Sequence, residues 1–331
     1  MDEDGPGNPN TVHFFYPPLL LGFYSAFREA CLADGALTRK QKEILGSFVS
    51  SFNTCSFCTN MHQIFAKSQG ADIDEVRMAV AVSDPSLLSD KHLSDIIRWM
   101  KLAQQKNPQE IIKPDVYEGE IPEILGTAFL YNYINRVVDL FITQDKIFPA
   151  IPGIVRFLYD RSQLVKSFVE SWMVKNVFLN KTVLPGESAD LMDHFPDLPE
   201  DMSWAKSSKP VRQAFAYWAW AIDALAEAYL PKNVVEFVGK YIDEHYDGTT
   251  PPLSRNWVFS AAEEMEGSEA ERFAASFMLL VAFARFQIDD SFLADLEKRF
   301  PDFDVRRAMC MWASFRTARN IANWQHAFIA A

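Results

Sequence analysis

The chain has 331 residues, of which 49% are hydrophobic and 23% charged, a length and composition that suit one large or two medium globular domains. Its formal net charge of −12 counts against binding to nucleic acid or to an anionic membrane surface, because both partners require a basic face. The first residues are acidic where a signal peptide is basic, and no apolar run is long enough to span a bilayer, so we expect a cytoplasmic location.

Apolar residues recur three and four positions apart along most of the chain, whereas long alternating strand patterns are absent. This periodicity predicts an all-α fold. Thr38 is expected to cap one helix with Gln41 as its partner, and Asn53 or Thr54 to cap the next, which should end at Gly70. The other predicted helical segments are 19–33, 40–52, 72–81, 92–104, 122–142, 155–178, 211–228, 232–244, 269–287 and 303–328.

A stretch rich in prolines and acidic residues predicts a connection between two parts of the chain. The expected division is 1–180, a connection over 181–210, and 211–331. The first and last parts share features in the same chain order, which points to a tandem duplication, with chance similarity between amphipathic helices as the alternative. The matching positions are Leu37, Glu43 and Gly46 with Leu230, Glu236 and Gly239, and later Arg136 with Arg319.

Two of the four cysteines, Cys55 and Cys58, form a Cys-x-x-Cys pair. A chain this long with four cysteines has no disulfide framework, so a close pair points to redox or metal chemistry. Cys31 and Cys310 lie alone on apolar helical patterns and are expected in the core.

The pair is expected at the start of a helix, where unpaired backbone N–H groups and the helix dipole stabilise a thiolate. His62 follows Cys58 by one turn and is placed to take its proton, and Glu43 on the preceding helix is placed to orient that imidazole. The second part of the chain lacks this set and is expected to be a degenerate copy. In the same register it has Gly248, Pro251 and Arg255 at the positions of Cys55, Cys58 and His62.

Two alternatives to redox chemistry stay open for these residues. The cysteines could simply pack in the core, or the pair could bind zinc together with His62 and Glu43, although no second Cys/His cluster accompanies them. Covalent haem attachment is excluded because Thr59, not histidine, follows the second cysteine. No metal or cofactor is assigned from the sequence.

The spacing Glu-x11-Cys-x2-Cys-x3-His, from Glu43 to His62, resembles the alkylhydroperoxidase D and carboxymuconolactone decarboxylase superfamily, most closely its peroxidase-related branch. The match covers Leu37 to Gly70, and a looser resemblance extends to Phe141. It implies an alkylhydroperoxidase D-like (AhpD-like) helical fold, usually as a homo-oligomer, that reduces alkyl hydroperoxides through its cysteine pair. The decarboxylase branch works without such a pair, so its chemistry fits poorly.

By this resemblance Cys58 would be the peroxidatic thiol and Cys55 the resolving thiol, with Glu43 and His62 as the proton relay. The implied partner is a dithiol protein or a lipoyl carrier that reduces the disulfide again. Phe57 stands where alkylhydroperoxidase D has a relay histidine, and this departure affects the substrate, the rate and the reductant. A non-catalytic redox sensor or scaffold that retains the fold is the alternative function.

Overall fold

A computed structural model of the protein describes residues 9, 11–110, 113–142, 162 and 183–330. Throughout these residues the regular elements are helices and no strand occurs, which confirms the all-α fold. None of the described helices combines the length and apolar character needed to cross a lipid bilayer. The helix predicted over 155–178 lies outside the described residues.

The described part of the first 142 residues contains six α-helices that agree closely with the predicted segments. A π-helix, Arg28–Leu32, continues directly from the first of them. The second begins at Thr38 with the predicted capping box, in which Thr38 and Gln41 satisfy each other's backbone N–H groups. The six are α1 Pro17–Phe27, α2 Arg39–Phe52, α3 Ser56–Ser68, α4 Ile73–Ala81, α5 Lys91–Leu102 and α6 Ile121–Phe141.

Six further α-helices follow between residues 209 and 330. Two of them were not predicted, because each is short and buries only two or three apolar side chains, too few to produce a clear helical period. The helix predicted over 269–287 ends four residues early, since Ala284 leaves the helical conformation with φ −151° and ψ 57°. The six are α7 Lys209–Tyr229, α8 Lys232–His245, α9 Asn256–Glu263, α10 Glu269–Phe283, α11 Asp290–Arg299 and α12 Phe303–Ala330; α9 and α11 are the unpredicted pair.

The described part of the proline-rich connection packs against the first part of the chain. The buried carboxylate of Glu29 accepts hydrogen bonds from the backbone N–H groups of Gly186, at 2.7 Å, and Ser188, at 3.1 Å. Two short 3-10 helices, Glu187–Leu191 and Glu200–Ala205, give the connection local structure.

One aromatic cluster joins the two parts of the chain. Phe129 on the almost fully buried helix α6 lies with its ring centroid 5.4 Å from that of Trp218 and 5.0 Å from that of Phe315. Phe215 and Trp218 are fully buried. The indole N–H of Trp324 also donates to the Ala103 carbonyl, at 2.9 Å. The hydrophobic core is therefore continuous between the two parts.

Candidate active site

The turn between α2 and α3 places both cysteines at the start of α3. Asn53 ends α2, Thr54 adopts a left-handed conformation with φ 57°, and Cys55 is the N-cap of α3. The predicted cap at Asn53 or Thr54 is therefore wrong, and Cys55 precedes the first turn instead of lying within it. The Asn53 amide is used elsewhere: its Nδ2 donates to the side-chain oxygens of two asparagines on α6, at 3.0 Å each.

The two thiols are free, buried and in direct contact. The Sγ atoms of Cys55 and Cys58 are 2.7 Å apart, and the residues are only 2% and 4% exposed. The Cys55 thiol donates to the Cys58 sulfur, and this hydrogen bond, together with burial, raises the pKa of Cys55 far above its usual value. In this hydrogen bond the Cys58 sulfur is the acceptor.

His62 forms a buried pair with Glu43, which lies on the neighbouring helix α2. The His62 Nδ1 atom is 2.8 Å from Glu43 Oε2, so that contact occupies Nδ1 and leaves Nε2 as the nitrogen available for proton transfer. Arg39 approaches the other carboxylate oxygen, with Nε 3.4 Å from Oε1. A carboxylate in this position orients the imidazole.

Tyr131, on α6, also contacts His62 and was not predicted from the sequence. Its hydroxyl lies 3.1 Å from His62 Nδ1, and the two ring centroids are 4.4 Å apart. Burial raises the pKa of Tyr131 well above its usual value, so this residue acts as a neutral hydrogen-bonding group. The absence of a side chain at Gly46 leaves room for the Tyr131 ring, because a Cβ at that position would lie 2.3 Å from Tyr131 Cε2.

Gly46→Ala is expected to destabilise the protein by about 1–3 kcal/mol, because the added methyl group overpacks the α2–α6 contact. It should also push Tyr131 away from His62. Denaturant unfolding measures the first effect, and the pH dependence of thiol alkylation measures the second. Gly119→Ala is the control, since a Cβ there meets nothing within 4 Å; equal stability of the two variants would contradict the packing argument.

The four residues predicted from the sequence lie on the α2–α3 hairpin, where short contacts join them as two pairs, Cys55 with Cys58 and Glu43 with His62. Cys58 and His62 lie one turn apart on α3. The zinc alternative requires all four side chains to converge on one point. Nowhere in the described part of the chain do three or more His, Cys, Asp or Glu side chains form such a group.

The other two cysteines are core residues, as predicted. Cys31 and Cys310 are buried, and burial raises the pKa of each thiol to about 12. Neither thiol is activated, and both serve as internal controls for the reactivity of the Cys55–Cys58 pair.

Part of the chain matches a known protein family. The carboxymuconolactone decarboxylase family model matches residues 18–101, a segment that contains Glu43, both thiols and His62. The resemblance predicted from the motif is thus confirmed for this segment of the chain. Over 307 residues the chain is 23% identical to an alkyl hydroperoxide reductase of Mycobacterium tuberculosis, with 92% of this chain and 82% of that protein covered.

Proposed function

We propose that the protein is a thiol-dependent peroxidase that reduces alkyl hydroperoxides through Cys55 and Cys58. The observation that carries the proposal is two free, buried sulfur atoms 2.7 Å apart at the start of α3, on a hairpin that also holds a His62–Glu43 pair. The similarity to a protein named alkyl hydroperoxide reductase supports a peroxidase-related function at the level of the family.

In the first step, the Cys58 thiolate attacks the terminal oxygen of the hydroperoxide and the O–O bond breaks. Cys58 becomes a sulfenic acid, and the departing alkoxide takes up a proton and leaves as an alcohol. His62 is the proposed carrier of that proton: it accepts the proton from the Cys58 thiol and returns it to the alkoxide, while Glu43 stabilises the intermediate imidazolium. Because Phe57 replaces the relay histidine of alkylhydroperoxidase D, the relay proposed here runs through His62 and Glu43.

In the second step, the Cys55 sulfur attacks the Cys58 sulfur and a disulfide forms. The hydroxyl group of the sulfenic acid leaves with the Cys55 proton as water. The short distance between the two sulfur atoms means that this closure needs little movement. A dithiol protein or lipoyl carrier then reduces the disulfide by thiol–disulfide exchange and is itself oxidised.

Thiol counting after exposure to cumene hydroperoxide tests the proposal. Two of the four cysteine thiols should be lost, peptide mass spectrometry should find Cys55 linked to Cys58, and dihydrolipoamide should sustain turnover. A variant with Cys31→Ser and Cys310→Ser should behave in the same way, because those thiols take no part. Persistence of all four thiols in the wild-type protein would exclude a peroxidase.

Burial of both sulfur atoms favours a second candidate, a redox switch without turnover, since only 2% and 4% of Cys55 and Cys58 are exposed. In that case a small oxidant such as diamide closes the disulfide and changes the oligomeric state, but hydroperoxide and dihydrolipoamide together give no steady consumption. Sustained consumption would exclude the switch.

Glu43→Gln is expected to slow hydroperoxide-dependent oxidation of Cys58 by about 10²-fold, because His62 loses the charge that stabilises its protonated form. The substitution preserves the shape of the side chain, so stopped-flow oxidation rates report the charge. Glu75→Gln on α4 is the control, since that carboxylate bonds Ser89 instead of His62. Equal rates for the two variants would remove Glu43 from the relay.

A further inference from the structure

The turn that carries Cys55 has a conformation that its own sequence disfavours. Thr54 has φ 57°, a left-handed value that is unusual for a β-branched residue and requires support from its surroundings. Local backbone hydrogen bonds supply part of this support: Thr54 N–H donates to Ser51 and Cys55 N–H to Ser50, at 2.9 and 3.0 Å. The position of the Cys55 sulfur therefore depends on what holds this turn.

Arg285, from the second part of the chain, makes a tertiary contact with the turn that carries Cys55. Its Nη2 donates to the backbone carbonyl of Asn53, at 2.7 Å, and its Nε donates to Asp139 on α6, at 2.8 Å. The guanidinium thus ties the end of α2 to α6 with two donors of one rigid group. Only 13% of the Arg285 side chain is exposed, so little water competes for these contacts.

The same contact affects the charge near the thiols. Asp139 raises the pKa of Cys55 through its negative charge, although this effect is smaller than those of the Cys58 hydrogen bond and of burial. Arg285 supplies the opposite charge directly on Asp139. The charged or titratable groups near the thiol pair include Asp139, Arg285, Tyr131, His62 and Glu43. Arg136 adds a buried positive charge that interacts with Asp139 and Arg285, and Arg77 lines a pocket together with Thr54 and Ser56.

We propose that Arg285 is a positioning residue for the thiol pair: it fixes the Asn53–Cys55 turn and neutralises Asp139 beside it. The part of the chain that lacks the Cys-x-x-Cys pair thereby contributes a residue to the site in the part that has it. This inference deepens the proposed peroxidase and rests on it for its biological meaning, but the reactivity of the thiols can be measured without hydroperoxide.

Two measurements on the reduced protein test the proposal. Alkylation of the thiols by iodoacetamide as a function of pH reports how readily a thiolate forms. Closure of the disulfide by diamide, which takes up two electrons and two protons to become a hydrazine, reports how well the two sulfur atoms are aligned. Wild type is compared with Arg285→Met, with Arg285→Lys, and with Arg285→Met combined with Asp139→Asn.

Arg285→Met leaves Asp139 unpaired, so its negative charge favours the protonated thiol and the alkylation profile moves to higher pH. Near neutral pH alkylation should slow by about threefold to tenfold, and diamide closure should slow by about tenfold because the turn loses its support. The double variant also removes the negative charge of Asp139, so its alkylation profile should return to that of wild type. Closure of the disulfide should stay slow, because the turn still lacks its support. Arg285→Lys keeps the charge but cannot make both contacts as one rigid fork, so only its closure rate should fall.

Arg255→Met is the matched control. It breaks the Arg255–Asp289 ion pair, which also lies in the second part and has a distance of 2.7 Å, without touching the turn. If Arg285→Met gives the pH profile and closure rate of this control, Arg285 has no positioning role. If Arg285→Met does not fold, Arg285→Lys decides, and wild-type closure in that variant overturns the proposal. If the proposed peroxidase function is wrong, only the hydroperoxide turnover assay will show it. Alkylation and diamide closure do not depend on peroxidase activity.

Discussion

Cys58→Ser should lower hydroperoxide reduction by about a thousandfold or more, because it removes the sulfur that is proposed to receive oxygen from the substrate. The serine hydroxyl retains a partner in the Cys55 thiol and is smaller than the original group, so the fold should be preserved. Steady-state consumption of cumene hydroperoxide with dihydrolipoamide as reductant measures the loss.

Cys55→Ser separates the roles of the two sulfur atoms. Without a resolving thiol, Cys58 should still react once, and its sulfenic acid should persist and be trapped by dimedone. Cys58→Ser should give no such adduct. The opposite result, an adduct on Cys55 in the Cys58→Ser protein, would reverse the assignment; turnover by both single variants would exclude a mechanism through this pair.

Much of the hairpin could be predicted because its determinants are local in sequence. The capping box of Thr38 and Gln41 lies within one helical turn, and the period of α2 and α3 places Glu43 and His62 on facing helices. The exact cap of α3 was not predictable in this way. Asn53 is a good N-cap by composition, but its amide is drawn to α6 by a tertiary contact that the local sequence does not contain.

The residues missed at the site all come from distant parts of the chain. Tyr131 reaches His62 across 69 residues and Arg285 reaches Asn53 across 232 residues, and neither is marked by a motif. Gly46 gave a usable signal, since a glycine inside a strong helical pattern indicates close approach of another group. The group it accommodates is Tyr131, which the pattern alone did not identify.

Duplication remains our proposal for the origin of the second part, and the packing of the helices supports it. Helix α1 packs against α7 and helix α6 against α12, so helices at corresponding places in the two parts lie side by side. Two copies related by a twofold axis would contact each other in this self-complementary manner. A degenerate copy kept in this position continues the core and, through Arg285, reaches the thiol-bearing turn of the other.

Glu123→Ala is expected to lower the free energy of unfolding by about 3–5 kcal/mol, because it leaves a buried ammonium without its counter-charge. The Lys42 side chain is fully buried, with its Nζ 2.8 Å from Glu123 Oε2 and 2.6 Å from the Ala33 carbonyl. The same carboxylate accepts the backbone N–H groups of Ala36 and Leu37, at 2.9 Å each. Its loss therefore releases the loop that leads into α2.

Urea unfolding of a matched set checks this expectation. Asp95→Ala, which breaks an exposed pair with Arg98, should change stability by less than about 1 kcal/mol. Adding Lys42→Met to Glu123→Ala should restore part of the loss, because the uncompensated charge is gone while the two loop N–H groups still lack their acceptor. If Glu123→Ala lowers the free energy of unfolding no more than Asp95→Ala does, water reaches Lys42 and the Lys42–Glu123 pair does not fix α2.

Glu43 follows Lys42 directly on α2. If Glu123→Ala does destabilise the protein, it should therefore also loosen the Glu43–His62 contact, and hydroperoxide reduction should slow at urea concentrations where the variant is still folded.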